Sequence, residues 1–138
     1  MPTQPGYAAR HLRDRILADG PIRHTTEYEL QDAIDRQLNS PPEWAFQASR
    51  EHRLDEHNRI DFFVRSLVFG ETKPFINVGI EVKIGSALAA VTRQLARYAE
   101  FDEIDELLLV TTKAVHHRIP AELNGKPVVL CSLVEAGL

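Results

Sequence analysis

Apolar and polar positions alternate most cleanly in FINVGIEVK, residues 75–83, where Val78, Ile80 and Val82 are interleaved with Gly79, Glu81 and Lys83. That is the period of a strand with one buried face. Two earlier runs have similar character: EWAFQASREHRL, strand-like from Trp44 to about Leu54, and RIDFFVRSLVF from Arg59. The turn signals LDEHN and Gly70-Glu71-Thr72-Lys73-Pro74 separate the three runs, which predicts an antiparallel meander. Ahead of it, TEYELQDAIDRQL places Leu30, Ile34 and Leu38 on one helical stripe, with Thr25 or Thr26 as cap and acids in the first turn. Asn39-Ser40-Pro41-Pro42 ends that helix, and AARHLRDRILADG predicts a shorter one that stops at Gly20-Pro21. After the meander, Ile84-Gly85-Ser86 breaks the pattern and Ser86 is positioned to cap a helix over SALAAVTRQLARYAEF. DELLLVTT then reads as a buried strand, KAVHHRIPAELNGKP as a connector with one helical turn, and PVVLCSLVE as a last strand. The expected order is α, β, β, β, α, β, β in a single domain over residues 25–138, with residues 1–24 as an N-terminal extension.

The 138 residues suffice for one core, and 43% hydrophobic with 26% charged residues is ordinary for a globular chain. No apolar run approaches the roughly 20 residues of a membrane span, and the N-terminus lacks the apolar stretch of a secretory signal. The single cysteine, Cys131, sits in the apolar run VVLCSL and reads as a small buried side chain. A cytoplasmic protein with no membrane partner is the expectation. The net charge of −4 argues against a nucleic-acid partner until its distribution is considered. Five acids lie in AEFDEIDE, residues 99–106, and the remainder of the chain has 16 basic against 15 acidic residues. Arginines gather at Arg10, Arg13, Arg15 and Arg23 and again at Arg50, Arg53, Arg59 and Arg65, either as solvated surface or as a face that follows phosphates. His116-His117 has no Cys or spaced His nearby for a zinc site and reads as a surface pair.

The positions that depart from the pattern carry the candidate chemistry. Asp61 interrupts a strand of large apolar residues, where Asp is disfavoured. Glu81 and Lys83 share one face of the next strand. If the two strands pair through the 70–74 turn, Asp61 and Glu81 come side by side, and two converging carboxylates repel unless a cation lies between them. Hard oxygen donors with open positions suit Mg²⁺, or Mn²⁺ in its place. A lysine on the same face can hold a water or a phosphate oxygen.

Asp61 followed by Glu81-Val82-Lys83 resembles the signature of the PD-(D/E)XK nuclease superfamily. Gln94 and Tyr98 in RQLARY resemble the Gln-x-x-x-Tyr motif of its RecB-like branch, on the helix after the Glu-x-Lys strand. The helix that starts at Glu27 resembles the branch's first helix, in which Glu27, on the face of Gln31, Ile34 and Leu38, is better placed than Glu29 to supply an acid. The resemblance covers about residues 25–112. Arg59-Ile60 stands where the superfamily often has a Pro before the Asp.

What the resemblance implies is an α/β protein with a restriction-endonuclease-like core, a central mixed sheet of four to five strands flanked by helices. It implies Asp61, Glu81 and the Val82 carbonyl as Mg²⁺ ligands, and Glu27 on metal-bound water or a second ion. Lys83 would orient the attacking water, and Gln94 and Tyr98 would steady the site and touch the DNA backbone. The implied partners are DNA and a second copy of the chain, with branched or structured DNA as one substrate class and restriction-type cleavage as another. Two other readings compete: an inactive DNA- or protein-binding module on the same fold, and an unrelated α/β interaction protein that uses the acidic run as its interface.

Overall fold

The structure is a computed structural model that describes residues 4–39, 46–67 and 74–134, with Phe46 described in its backbone alone. Helices α1 (Tyr7–Leu17) and α2 (Glu27–Leu38) precede a meander of β1 (Phe46–Arg53), β2 (Arg59–Leu67) and β3 (Phe75–Lys83). Helix α3 (Leu88–Ala99) leads to β4 (Glu106–Thr111), a 3-10 turn at Ala114–Arg118, and a hairpin of β5 (Glu122–Leu123) and β6 (Lys126–Ser132). The strand order is β1-β2-β3-β4-β6-β5. β1, β2 and β3 pair antiparallel, β3–β4 and β4–β6 pair parallel, and β5 pairs antiparallel with β6.

The mixed α/β sheet is as expected, but it has six strands rather than four or five. The added β5 is two residues long, and the Asn124-Gly125 turn that makes it has positive φ at both residues. That geometry suits a tight hairpin, but two residues leave no alternation to read. The expected starts and ends at Trp44, at Ser40-Pro41-Pro42 and in the 70–74 turn up to Lys73 lie outside the described residues.

The central strands sort their side chains onto two cores. Val78, Ile80 and Val82 of β3, with Leu108 and Val110 of β4, pack under α1 and α2. Leu107 and Leu109 pack under α3 with Val91, Leu95 and Tyr98. A strand covered on both faces reads as a continuous apolar run, hence ELLLVT. Glu81 and Lys83 therefore lie on the α3 side. Gly79 is on that side too, and a Cβ there would come within 2.5 Å of Ile60 Cδ1.

The segment ahead of residue 25 is part of the main core. Ala8, Ala9, Leu12 and Ile16 of α1 are buried in the same cluster as Leu30, Ile34 and Leu38 of α2. Buried Glu106 of β4 holds α1 in place, accepting from the Ala9 N–H at 2.9 Å and the Gly6 N–H at 3.1 Å. A carboxylate at a helix N-terminus meets orphan donors and the positive end of the dipole. The Asp105 carboxylate likewise accepts from the Asn77 N–H at 2.8 Å. Part of the acidic run thus serves internal contacts.

Thr26 is the cap of α2, its side chain accepting from the Glu29 N–H. Ser86 does not cap α3. The N-cap is Ala87, without a side-chain bond, and Ser86 sits one residue earlier at φ 77°. His116 is also not on the surface: it is fully buried, with Nδ1 2.6 Å from Thr111 Oγ1 and Nε2 2.8 Å from the Ser86 carbonyl. A carbonyl only accepts, so Nε2 donates to it. His116 thereby braces the turn between Lys83 and α3. His117 is exposed, as expected, and meets Ser132 Oγ at 2.7 Å. Cys131 is buried, and burial pushes its thiol up to about 12.

Candidate active site

β2 and β3 part where their acids meet. The ladder runs from Leu67↔Phe75 to Phe62↔Ile80 and stops there. Beyond it, side chains take over: the Val82 N–H donates to Asp61 Oδ2 at 2.8 Å and the Asp61 N–H donates to Glu81 Oε1 at 3.3 Å. The alternation of β2 also slips at Asp61. Phe62 and Val64 point to the α1/α2 core, whereas Ile60 points to the α3 core. In β1, Glu51 takes φ 53°, a conformation uncommon for a residue with a Cβ. The slip at Asp61 turns a carboxylate toward β3 instead of into a core.

Glu81 is 3% exposed, and Lys83 Nζ lies 3.4 Å from its Oε2. Burial, and then the Asp61 charge, push the Glu81 carboxyl up to about 8, against the pull of Lys83. Asp61 is also raised, by burial first, while the Val82 N–H lowers it. Glu27 stands at the start of α2, half-buried. Burial raises it, the Lys83 charge lowers it, the Asp61 charge raises it, and a hydrogen bond from the Ile84 N–H lowers it. Glu29 instead turns back to Thr25, accepting from its N–H and hydroxyl at 2.8 Å each. Of the two first-turn acids, Glu27 faces the site.

The third wall comes from α3. Gln94 Nε2 donates to the Tyr98 hydroxyl at 2.9 Å, and that hydroxyl donates to the Arg59 carbonyl at 3.0 Å. Four residues is the spacing that stacks two side chains on one helix face. The phenol therefore ties α3 to β2 two residues before Asp61. Burial, followed by the Glu81 charge, raises the Tyr98 pKa. Asp61, Glu81, Lys83, Glu27, Gln94 and Tyr98 thus converge from four elements, with Val82 between the two β3 side chains.

Among the described residues no group of three or more His, Cys, Asp or Glu side chains is gathered as a preformed metal cage. What is gathered is a pair of hard carboxylates, each bonded to the other's strand, with Glu27 near enough to feel Asp61. The donor chemistry fits a hard divalent cation. Burial raises both carboxyls, and the Asp61 charge adds to this at Glu81, against the pull of Lys83; a dication beside them would favour their charged forms.

Three arginines of the two sequence clusters meet carboxylates. Arg50 pairs with Asp32, Arg59 with Glu51 at 3.5 Å, and Arg13 with Asp14 at 3.1 Å. The cations beside the site are Arg93 and Arg97 on α3, which line a cleft of about 350 Å³ with Lys83, Ser86, Ala90, Val91 and Gln94. Their four-residue spacing was visible, but not which face of the helix it occupies. Glu51, whose charge reaches Asp61, was missed too, because with its neighbours SR and HR it reads as ordinary polar surface. No helix among the described residues is long and apolar enough to cross a membrane. Comparison with family models, with curated proteins and with solved structures finds no match for this chain.

Proposed function

We propose that this protein is a Mg²⁺-dependent nuclease that hydrolyses phosphodiester bonds in DNA, on a restriction-endonuclease-like core of the PD-(D/E)XK type. The observation that carries the reading is the meeting of Asp61 and Glu81 where β2 and β3 separate, with Lys83 at 3.4 Å from Glu81. Taking a carboxylate pair and a lysine out of water costs several kcal/mol per ion, which packing alone would avoid. Asp61 and Glu81, with the Val82 carbonyl and Glu27 beside them, are the residues that would hold the ion. When bound, Mg²⁺ supplies Lewis-acid stabilisation of charge on the phosphate and lowers the pKa of a water.

The chain's own groups have separate tasks in this scheme. Lys83, held against Glu81, presents its ammonium to a phosphate oxygen or to the attacking water. The Gln94–Tyr98–Arg59 chain fixes α3 against β2 so that the α3 wall keeps its distance from Asp61. Glu27 contributes charge from the α2 side. A second copy of the chain is the partner, and branched or structured DNA the substrate, that this reading proposes.

A second reading rests on the same hydrogen bonds. With Asp61 on the Val82 N–H and Glu81 on the Asp61 N–H, both carboxylates already have protein partners, as in a module that binds DNA without cutting it. One experiment separates the two: incubation of supercoiled plasmid, linear duplex and four-way junction DNA with Mg²⁺, Mn²⁺ or EDTA. Cutting that needs the metal supports the nuclease and ranks its substrates. Retention of DNA in a mobility-shift assay with every substrate intact supports the module.

A further inference from the structure

The cleft beside Lys83 has no carboxylate in its lining, although acids outnumber bases 20 to 16 in the chain. Its walls are Arg93, Arg97, Lys83, Gln94 and Ser86, and its apolar members, Ala90 and Val91, are short. Arg93 and Arg97 are both exposed and one helical turn apart, so their Cβ atoms lie about 5–6 Å from each other. Arg93 has no hydrogen-bond or ion-pair partner among the described residues, and Arg97 meets the neutral Asn58 Oδ1 at 3.2 Å. Most other arginines with a described contact are paired with a carboxylate or a backbone carbonyl, as at Arg50–Asp32, Arg59–Glu51 and Arg10–Pro5. Two uncompensated guanidinium groups on one wall repel each other, and an anion between them removes that cost. Ala90 leaves that wall without a long side chain, so an extended polymer backbone can lie close to the helix.

We propose that this cleft is the track of a nucleic-acid strand, with Arg93 and Arg97 each gripping a phosphate of the strand whose scissile phosphate faces Lys83. The proposal deepens the nuclease reading and rests on it for the position of the scissile bond, but the grip itself is independent of cleavage. The arginines contact phosphate and not bases, so they set affinity and register without sequence preference. A guanidinium fork takes two phosphate oxygens at once, which a lysine at the same place would not do.

The test uses the full chain carrying Glu81→Gln in EDTA, so that no strand is cut. Binding of a labelled single-stranded oligonucleotide and of its duplex is followed by fluorescence anisotropy across a salt series. Arg93→Ala and Arg97→Ala are added singly and together, with Arg13→Ala, which removes a cation paired with Asp14, as the control. Each cleft substitution is expected to weaken binding several-fold. Each should also flatten the slope of log K against log salt by about 0.7 on single strands and about 0.9 on duplex, and the pair by roughly twice that. The control should leave the slope unchanged. Unchanged slopes for Arg93→Ala and Arg97→Ala, or no binding of any nucleic acid, overturn the proposal. So does competition by a nucleoside monophosphate as strong as by the oligonucleotide, which would mark a small-anion site. Flattened slopes together with no cleavage by the unsubstituted protein would keep the track and remove the hydrolytic reading.

Discussion

Asp61 and Glu81 each hold the other's strand: the Val82 N–H donates to Asp61 at 2.8 Å, and the Asp61 N–H donates to Glu81 at 3.3 Å. The two acids thus occupy ladder positions with side chains while their charges oppose each other. The Glu81 carboxyl, at about 8, stands above its ordinary value of 4.5. The folded state therefore binds more protons than the unfolded state across that interval. Stability contributed by protonated Glu81 is fully present below about 4.5 and is lost as pH rises through about 8. Glu81→Gln removes this loss. Its melting temperature is expected to exceed that of the parent by several degrees at pH 8.5, on the order of 1–3 kcal/mol, and by much less at pH 5. Thermal unfolding at the two pH values checks it, and an equal or lower melting temperature at pH 8.5 goes against it.

A divalent cation should offset both the burial of these carboxylates and the repulsion between them. Mg²⁺ or Mn²⁺ at a hundredfold excess over its dissociation constant stabilises by about 2.7 kcal/mol if it binds only the folded protein. The parent protein is expected to melt several degrees higher with Mn²⁺ than with EDTA. Asp61→Asn should lose most of that increment, since it removes one charged donor. Thermal shift together with calorimetric titration of Mn²⁺ measures both. An Asp61→Asn protein that gains as much as the parent would place the ion elsewhere.

Tyr98→Phe keeps the ring in the core and deletes the hydroxyl that bridges Gln94 and the Arg59 carbonyl. The expected loss is about 0.5–1.5 kcal/mol of stability. Cleavage should fall about tenfold in kcat with little change in KM, because the hydroxyl fixes the distance between α3 and Asp61 rather than holding substrate. Steady-state kinetics on the preferred DNA, beside a denaturant melt, reads both numbers.

Glu106 stands apart from the chemistry. Glu106→Ala leaves the Gly6 and Ala9 N–H groups without their acceptor and should cost about 2–3 kcal/mol. Cleavage per folded molecule should stay unchanged. Urea unfolding followed by fluorescence of the single tryptophan, Trp44, gives the first value, and activity scaled to folded fraction gives the second.

The meander and the covered strands were legible because their periods are local. FINVGIEVK shows its two faces within nine residues, and ELLLVT shows a strand buried on both. Asp61, Glu81 and Lys83 stood out because each breaks an apolar pattern at a strand end, and Gln94 with Tyr98 because four residues make one helix face. The remainder depends on distant contacts. α1 joins the core through Glu106, 100 and 97 positions away from its two partners Gly6 and Ala9. His116 is buried because the 3-10 turn folds back onto Ser86, 30 positions earlier. Arg93 and Arg97 gained meaning only with the cleft beside Lys83, while Arg13, Arg50 and Arg59 of the more conspicuous clusters meet Asp14, Asp32 and Glu51.

In the proposed function Asp61, Glu81 and Lys83 form one metal-dependent hydrolytic centre. Its most direct measurement is the rate of DNA strand cleavage in Mg²⁺ by the parent, Asp61→Asn, Glu81→Gln and Lys83→Ala proteins, all shown to be folded. The parent is expected to cleave DNA and EDTA to abolish it, with a loss of at least about a hundredfold in each variant, as when a transition-state contact is removed. Cleavage that persists in the variants, or a folded parent that cuts no DNA in either Mg²⁺ or Mn²⁺, would contradict it.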